Sequence, residues 1–184
     1  HEGGGPPRVR TEHDLDDPHF LVARPHGDRP EVTSYVTVMK GCDERCTYCI
    51  VPYTRGSERY RPAGSIVDEV ARLAEGGVRE VTLLGQTVNS WYDPSDEAPQ
   101  MKPRSGPLAG PRTPMKRRVS EFASLVRRIG REVPDLARLR YTSPHPRHVT
   151  PELVAAHAEL DLLPAHVHLP VQSGSDAVLK RMLR

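Results

Sequence analysis

The sequence predicts an α/β fold in which parallel strands alternate with covering helices, and three observations lead to it. Strand-like and helix-like patterns take turns from Ser34 onward, as four consecutive strand–helix units. The helical segments keep their apolar residues on one face. The residues with chemistry to offer fall just after the strands, where a βα architecture gathers them at one end.

The elements follow in order. Residues 35–39 read as the first strand and run through Lys40-Gly41 into a loop. Residues 65–75 place Ile66, Val67, Val70, Leu73 and Ala74 at helical spacing, with Ser65 as N-cap and Gly76-Gly77 as the stop. The second strand is 80–84, and the helix at 120–131 carries Phe122, Leu125, Val126 and Ile129 on one face. A third strand spans 136–142, and the helix at 151–160 opens with Pro in its first turn. A fourth strand is expected at 166–171 and a fourth helix from Ser175 to Arg184.

At 184 residues the chain suffices for one domain with a real core. Its 19 Pro and 14 Gly leave part of the length for loops and linkers. Residues 1–33, rich in Gly, Pro, Asp and Arg around a small Phe20-Leu21-Val22 patch, read as a flexible linker ahead of a domain at 34–184. Residues 93–118 read as a disordered insertion, basic towards its end at Lys116-Arg117-Arg118. It is either a solvated surface excursion or a mobile flap touching RNA phosphate. A net charge of +2 is too weak to argue nucleic-acid binding by itself. No stretch approaches the roughly 18 apolar residues of a membrane span, and no signal peptide is recognisable, so a cytoplasmic, membrane-free protein is expected.

The sharpest motif is Cys42-Asp43-Glu44-Arg45-Cys46-Thr47-Tyr48-Cys49, which holds all three cysteines of the chain. Thiolates this close can converge on one metal centre, and Lys40 and Arg45 favour the thiolate form. Three ligands are one short of a closed structural zinc site, whereas an iron–sulfur cube on three thiolates keeps one iron open. A zinc completed by histidine remains the alternative. A disulfide with a spare thiol fits an odd count poorly.

The stretch from Gly41 to Gly56 resembles the cluster loop of radical S-adenosylmethionine (SAM) enzymes, and more narrowly that of the methylthiotransferase family. The resemblance continues through Arg55-Gly56-Ser57-Glu58-Arg59-Tyr60-Arg61-Pro62 and the stretch from Glu80 to Ser90. It resumes at Tyr141-Thr142-Ser143-Pro144-His145-Pro146 and at His168-Leu169-Pro170-Val171-Gln172-Ser173-Gly174-Ser175-Asp176. It implies a partial (βα) barrel of the radical SAM type, here a fragment with about four βα units and incomplete at its C-terminus.

By that resemblance Cys42, Cys46 and Cys49 bind a [4Fe-4S] cluster whose open iron is chelated by SAM. Tyr48 matches an aromatic position near the adenine, Gly85 and Gln86 lie near the methionine part, and Thr142, Ser143, Gln172 and Ser173 are polar contacts. Arg55, Arg59 and Arg61 suit the SAM carboxylate or RNA phosphate, or are solvated loop charges. His145 is given no catalytic task, since Pro144 interrupts the usual Thr-Ser-His-Pro. No catalytic residue is expected beyond the cluster ligands. The implied function is the central portion of a tRNA methylthiotransferase that acts on C2 of N6-prenylated adenosine beside the anticodon. Sister activities on threonylcarbamoyladenosine or a ribosomal protein are alternatives. A zinc-stabilised RNA-binding module, or an inert fragment that folds poorly, are readings of other classes. The resemblance further implies a tRNA substrate, a flavodoxin- or ferredoxin-type electron donor, a monomer, and a second cluster in an N-terminal domain.

Overall fold

The computed structural model describes residues 20–23, 31–96 and 120–184. Along the chain run β1 (Thr33–Thr37), β2 (Met39–Lys40), α1 (Val51–Thr54), β3 (Arg59–Tyr60), α2 (Ala63–Glu75), β4 (Glu80–Leu84), α3 (Phe122–Glu132), β5 (Arg138–Tyr141), α4 (Pro151–Glu159) and α5 (Asp176–Arg181). The main sheet has the order β1-β4-β5 with both pairings parallel, in register Val36↔Leu83 and Leu83↔Tyr141. The helices α2 and α3 make the two crossovers, as parallel neighbours require.

Period-two alternation decides which face is covered. Val36, Val81, Leu83, Leu139 and Tyr141 are buried with Ile66, Val70 and Leu73 of α2, Phe122, Leu125, Val126 and Ile129 of α3, and Leu153 and Ala156 of α4. The alternate residues Tyr35, Thr37, Thr82, Leu84 and Arg140 stay half-buried or exposed. On that open face Glu80 bridges Arg138 and Arg140 at 3.1 and 2.9 Å. The sheet is thus covered on one side and polar on the other.

Three expectations change. The first strand ends at Thr37, and Met39–Lys40 turns away to pair antiparallel with Arg59–Tyr60. The cysteine loop is therefore tied off at its neck by a small ribbon. Helix α2 starts at Ala63, with Pro62 in the N-cap position and no side-chain cap. Ser65 lies inside the first turn, where its hydroxyl accepts from Arg61 Nε at 3.0 Å, so it does not cap.

The fourth strand at 166–171 does not form among the described residues, and the parallel sheet has three strands. Val167, Leu169 and Val171 have no packed surface to alternate against and remain exposed. Pro164 and Pro170 offer no N–H to a ladder.

Part of the expected linker is held: the Ala23 N–H donates to Glu69 Oε1 at 2.6 Å, and Lys40 Nζ stands 5.3 Å from the centre of the Phe20 ring. The expected insertion lies outside the described residues beyond Asp96. Beneath the ribbon, the buried Arg61 and Glu69 form an ion pair. Arg61 is accordingly a structural charge, neither a solvated one nor one open to a ligand.

Candidate functional site

Gly41 opens the cysteine loop with φ at +77°, and a Cβ there would lie 2.0 Å from the Ser57 carbonyl oxygen. Only glycine lets the two sides of the neck come this close. The Cys42 N–H donates to the Gly56 carbonyl at 3.1 Å, and the Cys49 N–H to the Cys46 carbonyl at 3.0 Å. The loop is also tied outward. Glu44 pairs with Arg147 at 2.9 Å and with His148 Nε2 at 3.2 Å, which joins it to the segment after β5. The His148 hydrogen bond and the Arg147 charge hold the Glu44 carboxyl down at about 2. On the other side the Thr47 N–H donates to the Met182 carbonyl at 3.1 Å.

Cys42 and Cys46 are nearly buried, with 8% and 9% of their surface exposed, and Cys49 is half-buried. The Cys42 sulfur lies 3.5 Å from Thr87 Oγ1 and the Cys46 sulfur 3.8 Å from an Arg184 guanidinium nitrogen. Burial pushes the Cys42 thiol up to about 11 despite the Thr87 hydroxyl. A cationic centre bound there would reverse that preference, since coordination deprotonates a thiol.

The polar groups around the loop fit a bound group. Gln86 Oε1, His145 Nε2 and Arg184 Nε are buried with no hydrogen-bond partner. Each such atom left unpaired costs about 1–3 kcal/mol, and they come from three elements that border the cysteine loop. Among the described residues, no three His, Cys, Asp or Glu side chains close on a single-ion position. A tetrahedral zinc would draw its thiolates to about 2.3 Å from one point, whereas a cluster spreads three thiolates over three irons. Three cysteine sulfurs beside unpartnered polar groups are the donor chemistry that a [4Fe-4S] cluster takes.

The other expected site residues divide. Gln86 follows β4, and Thr142 and Ser143 follow β5, with the Thr142 N–H donating to Leu83 at 3.2 Å. A Cβ on Gly85 would meet Met39 Cγ at 2.5 Å, so this glycine makes room for the core and not for an open cradle. The Tyr48 side chain is exposed, and partial desolvation raises the pKa of its hydroxyl against the opposing pull of Arg184. Gln172 is exposed and Ser173 half-buried, with the Ser173 hydroxyl accepting from the Ser175 N–H at 3.1 Å. Ser143 and Gln172 both hold left-handed backbone, with φ of 58° and 71°, a strain that clusters at functional sites. Arg55 is exposed and Arg59 half-buried.

Sequence reasoning missed Glu44, Thr87, Asn89, His145 and Arg184. Asn89 is fully buried, and its side chain bonds both backbone groups of His145. The available signal was the place of Thr87, Asn89 and His145 inside the quoted motifs directly after β4 and β5, and of Glu44 inside the cysteine loop; Arg184 lies outside every quoted motif.

The Radical SAM superfamily profile matches residues 36–184. The chain belongs to the radical SAM superfamily. It is 59% identical over 187 aligned positions to the tRNA-2-methylthio-N(6)-dimethylallyladenosine synthase of Sorangium cellulosum (strain So ce56), covering 98% of this chain and 36% of that protein. It is 45% identical to the synthase of the same name from Agrobacterium fabrum (strain C58 / ATCC 33970), covering 96% of this chain and 35% of that one. The chain thus spans about a third of the length of these curated relatives. Among solved structures it is similar to the radical SAM methyltransferase TsrM from Kitasatospora setae, solved with tryptophan substrate and aza-SAM bound. The TM-score is 0.56 at 18% identity, covering 82% of this chain and 24% of that one, a likeness of fold alone.

Proposed function

We propose that residues 34–184 are the radical SAM portion of a tRNA methylthiotransferase that adds a methylthio group to C2 of N6-prenylated adenosine next to the anticodon. One observation carries the reading. Three cysteine side chains and three unpartnered polar atoms are gathered at one end of a parallel sheet, in a chain 59% identical to a synthase of that name. When bound, a [4Fe-4S] cluster and SAM supply the one-electron chemistry that activates an unreactive C–H bond.

The side chains supply the setting. Cys42, Cys46 and Cys49 would hold the cluster through their three sulfurs and leave one position open for SAM. The Thr87 hydroxyl steadies the Cys42 sulfur, and an Arg184 guanidinium nitrogen stands 3.8 Å from the Cys46 sulfur. Tyr48, whose ring is exposed, would stack on the adenine. Gln86, Thr142 and Ser143 line the strand ends, with Gln172 and Ser173 at the far rim, and Gly85 contributes only backbone. The β1-β4-β5 sheet is wholly parallel, and parallel sheets are covered on both faces, so the uncovered face suits the interior of a partial (βα) barrel. The reading brings with it a tRNA partner, a flavodoxin- or ferredoxin-type electron donor, a second cluster in a further domain, a monomeric state and a cytoplasmic place. It also brings residues 1–33 as a linker and 93–118 as a basic insertion.

Electron paramagnetic resonance of the anaerobically reconstituted, dithionite-reduced chain tests the cofactors. The expected result is a [4Fe-4S] signal that changes on SAM addition and disappears in Cys46→Ala. Zinc at one per chain without sulfide would overturn it. Nucleoside mass spectrometry of tRNA from a strain lacking the gene tests the activity. Loss of the methylthio group with the prenyl group retained is expected, and unchanged tRNA would refute the assignment.

A further inference from the structure

Asn89 and His145 lock together the segments after β4 and β5. The fully buried Asn89 side chain accepts from the His145 N–H at 2.7 Å and donates to the His145 carbonyl at 2.9 Å. The pair acts as one more rung beyond the ends of the strands. The ring is fixed as well, because its Nδ1 accepts from the Arg147 N–H at 3.1 Å. A nitrogen that accepts carries no proton, so the neutral ring carries its proton on Nε2. Burial keeps the ring neutral, with its pKa held down at about 4.

His145 is only 4% exposed, and its Nε2 is buried without a partner. A leucine or phenylalanine would fill the same space without stranding a donor. The titratable groups that face it are Arg184, Glu44, Arg147 and His148. Arg184 reaches the Cys46 sulfur, and Glu44 stands between Cys42 and Cys46 in the loop. The fixed donor therefore stands beside the cysteine loop.

We propose that the Nε2–H of His145 donates a hydrogen bond to an anionic acceptor in the cysteine-loop site, either a sulfur of the cluster or the carboxylate of SAM. The proposal rests on the reading of that loop as a cluster site. It gives His145 a cofactor-binding role that its place after the inserted Pro144 conceals.

The test compares wild type, His145→Gln and His145→Phe in the full anaerobically reconstituted chain. Glutamine keeps an N–H near the Nε2 position and phenylalanine removes it. Three quantities are measured: iron content, the cluster's midpoint potential without SAM, and the dissociation constant of SAM. If the acceptor is a sulfur, the potential of the Phe variant moves negative before SAM is added, because the reduced, more anionic cluster loses a donor. If the acceptor is the carboxylate, that potential is unchanged and SAM binds roughly tenfold to a hundredfold more weakly, the scale of a hydrogen bond to a charged group. In both cases Gln stays near wild type. Equal potentials and equal SAM affinities for Phe and wild type, at equal iron content, overturn the proposal. Should the Phe variant fail to fold, His145→Asn carries the same contrast, since its amide stops near Nδ1. A wild-type chain with no SAM-responsive cluster signal removes the reading itself, and this proposal with it.

Discussion

Two extended stretches lead into the site, and they are held in opposite ways. Arg138–Tyr141 is laddered to β4, with Leu139 and Tyr141 buried beneath helices. Residues 166–171 alternate just as well in sequence, yet run exposed without a ladder. The segment after β5 is therefore tied to the sheet and to the segment after β4: Thr142 bonds to Leu83, and His145 is gripped by Asn89. The residues around 166–184 are tied back by the Thr47–Met182 bond and by the bond from Arg184 to the Pro170 carbonyl. One side of the site is set by packing. The other depends on the cysteine loop for much of its anchorage.

The largest effect should come from breaking the packed side at its buried charges. Glu69→Leu leaves Arg61 buried without its partner and should cost about 3–5 kcal/mol, whereas Arg61→Met combined with Glu69→Leu should cost far less. Urea unfolding of both variants checks this, and equal losses would mean that packing and not the unpaired charge decides. Next, Leu139→Ala should cost roughly 3–4 kcal/mol through its cavity. By the same urea assay Leu169→Ala, already 37% exposed, should cost under about 1 kcal/mol. Similar losses would show that 166–171 packs as firmly as the sheet.

The third effect is on pH. The pKa of His145 is lowered to about 4 in the fold, chiefly by burial and then by Arg184, so the unfolded chain takes up the proton more readily. Stability from this group is complete above its ordinary value of about 6.5 and is lost as pH falls towards about 4, by up to about 3 kcal/mol. Urea unfolding of the cluster-free chain at several pH values should show that slope, and His145→Phe should flatten it. An identical slope in the variant would assign the pH dependence to another group.

How far the sequence could be read follows the same division. The faces of α2 and α3 were legible because Ile66, Val70, Leu73, Phe122, Val126 and Ile129 keep helical spacing, and burial obeys it. The cysteine loop was legible because its ligands are adjacent in sequence. The missing strand was not, since alternation reports a pattern and not the presence of a neighbour to pair with. Nor was the grip of Asn89 on His145, which spans 56 residues and depends on the β4–β5 register. Pro144, which argued against His145 from sequence, is itself buried and does not displace the ring from the site.

The smallest contrast lies in two helix caps of similar chemistry. Thr150 accepts from the Leu153 N–H at 3.2 Å and starts α4 on the packed side. Ser175 precedes α5 but makes no side-chain cap bond. Thr150→Ala should therefore lower stability by about 1 kcal/mol, while Ser175→Ala should stay within about 0.5 kcal/mol of wild type. Both are read from thermal unfolding of the cluster-free chain. The comparison is sharpest once the cluster is bound. If the C-terminal flank is ordered by the cysteine loop, loading should make Ser175→Ala costlier and leave the Thr150→Ala penalty as it was. A Ser175 penalty equal to that of Thr150 before loading would mean that the flank has its own support, and the division between the two sides of the site would fall.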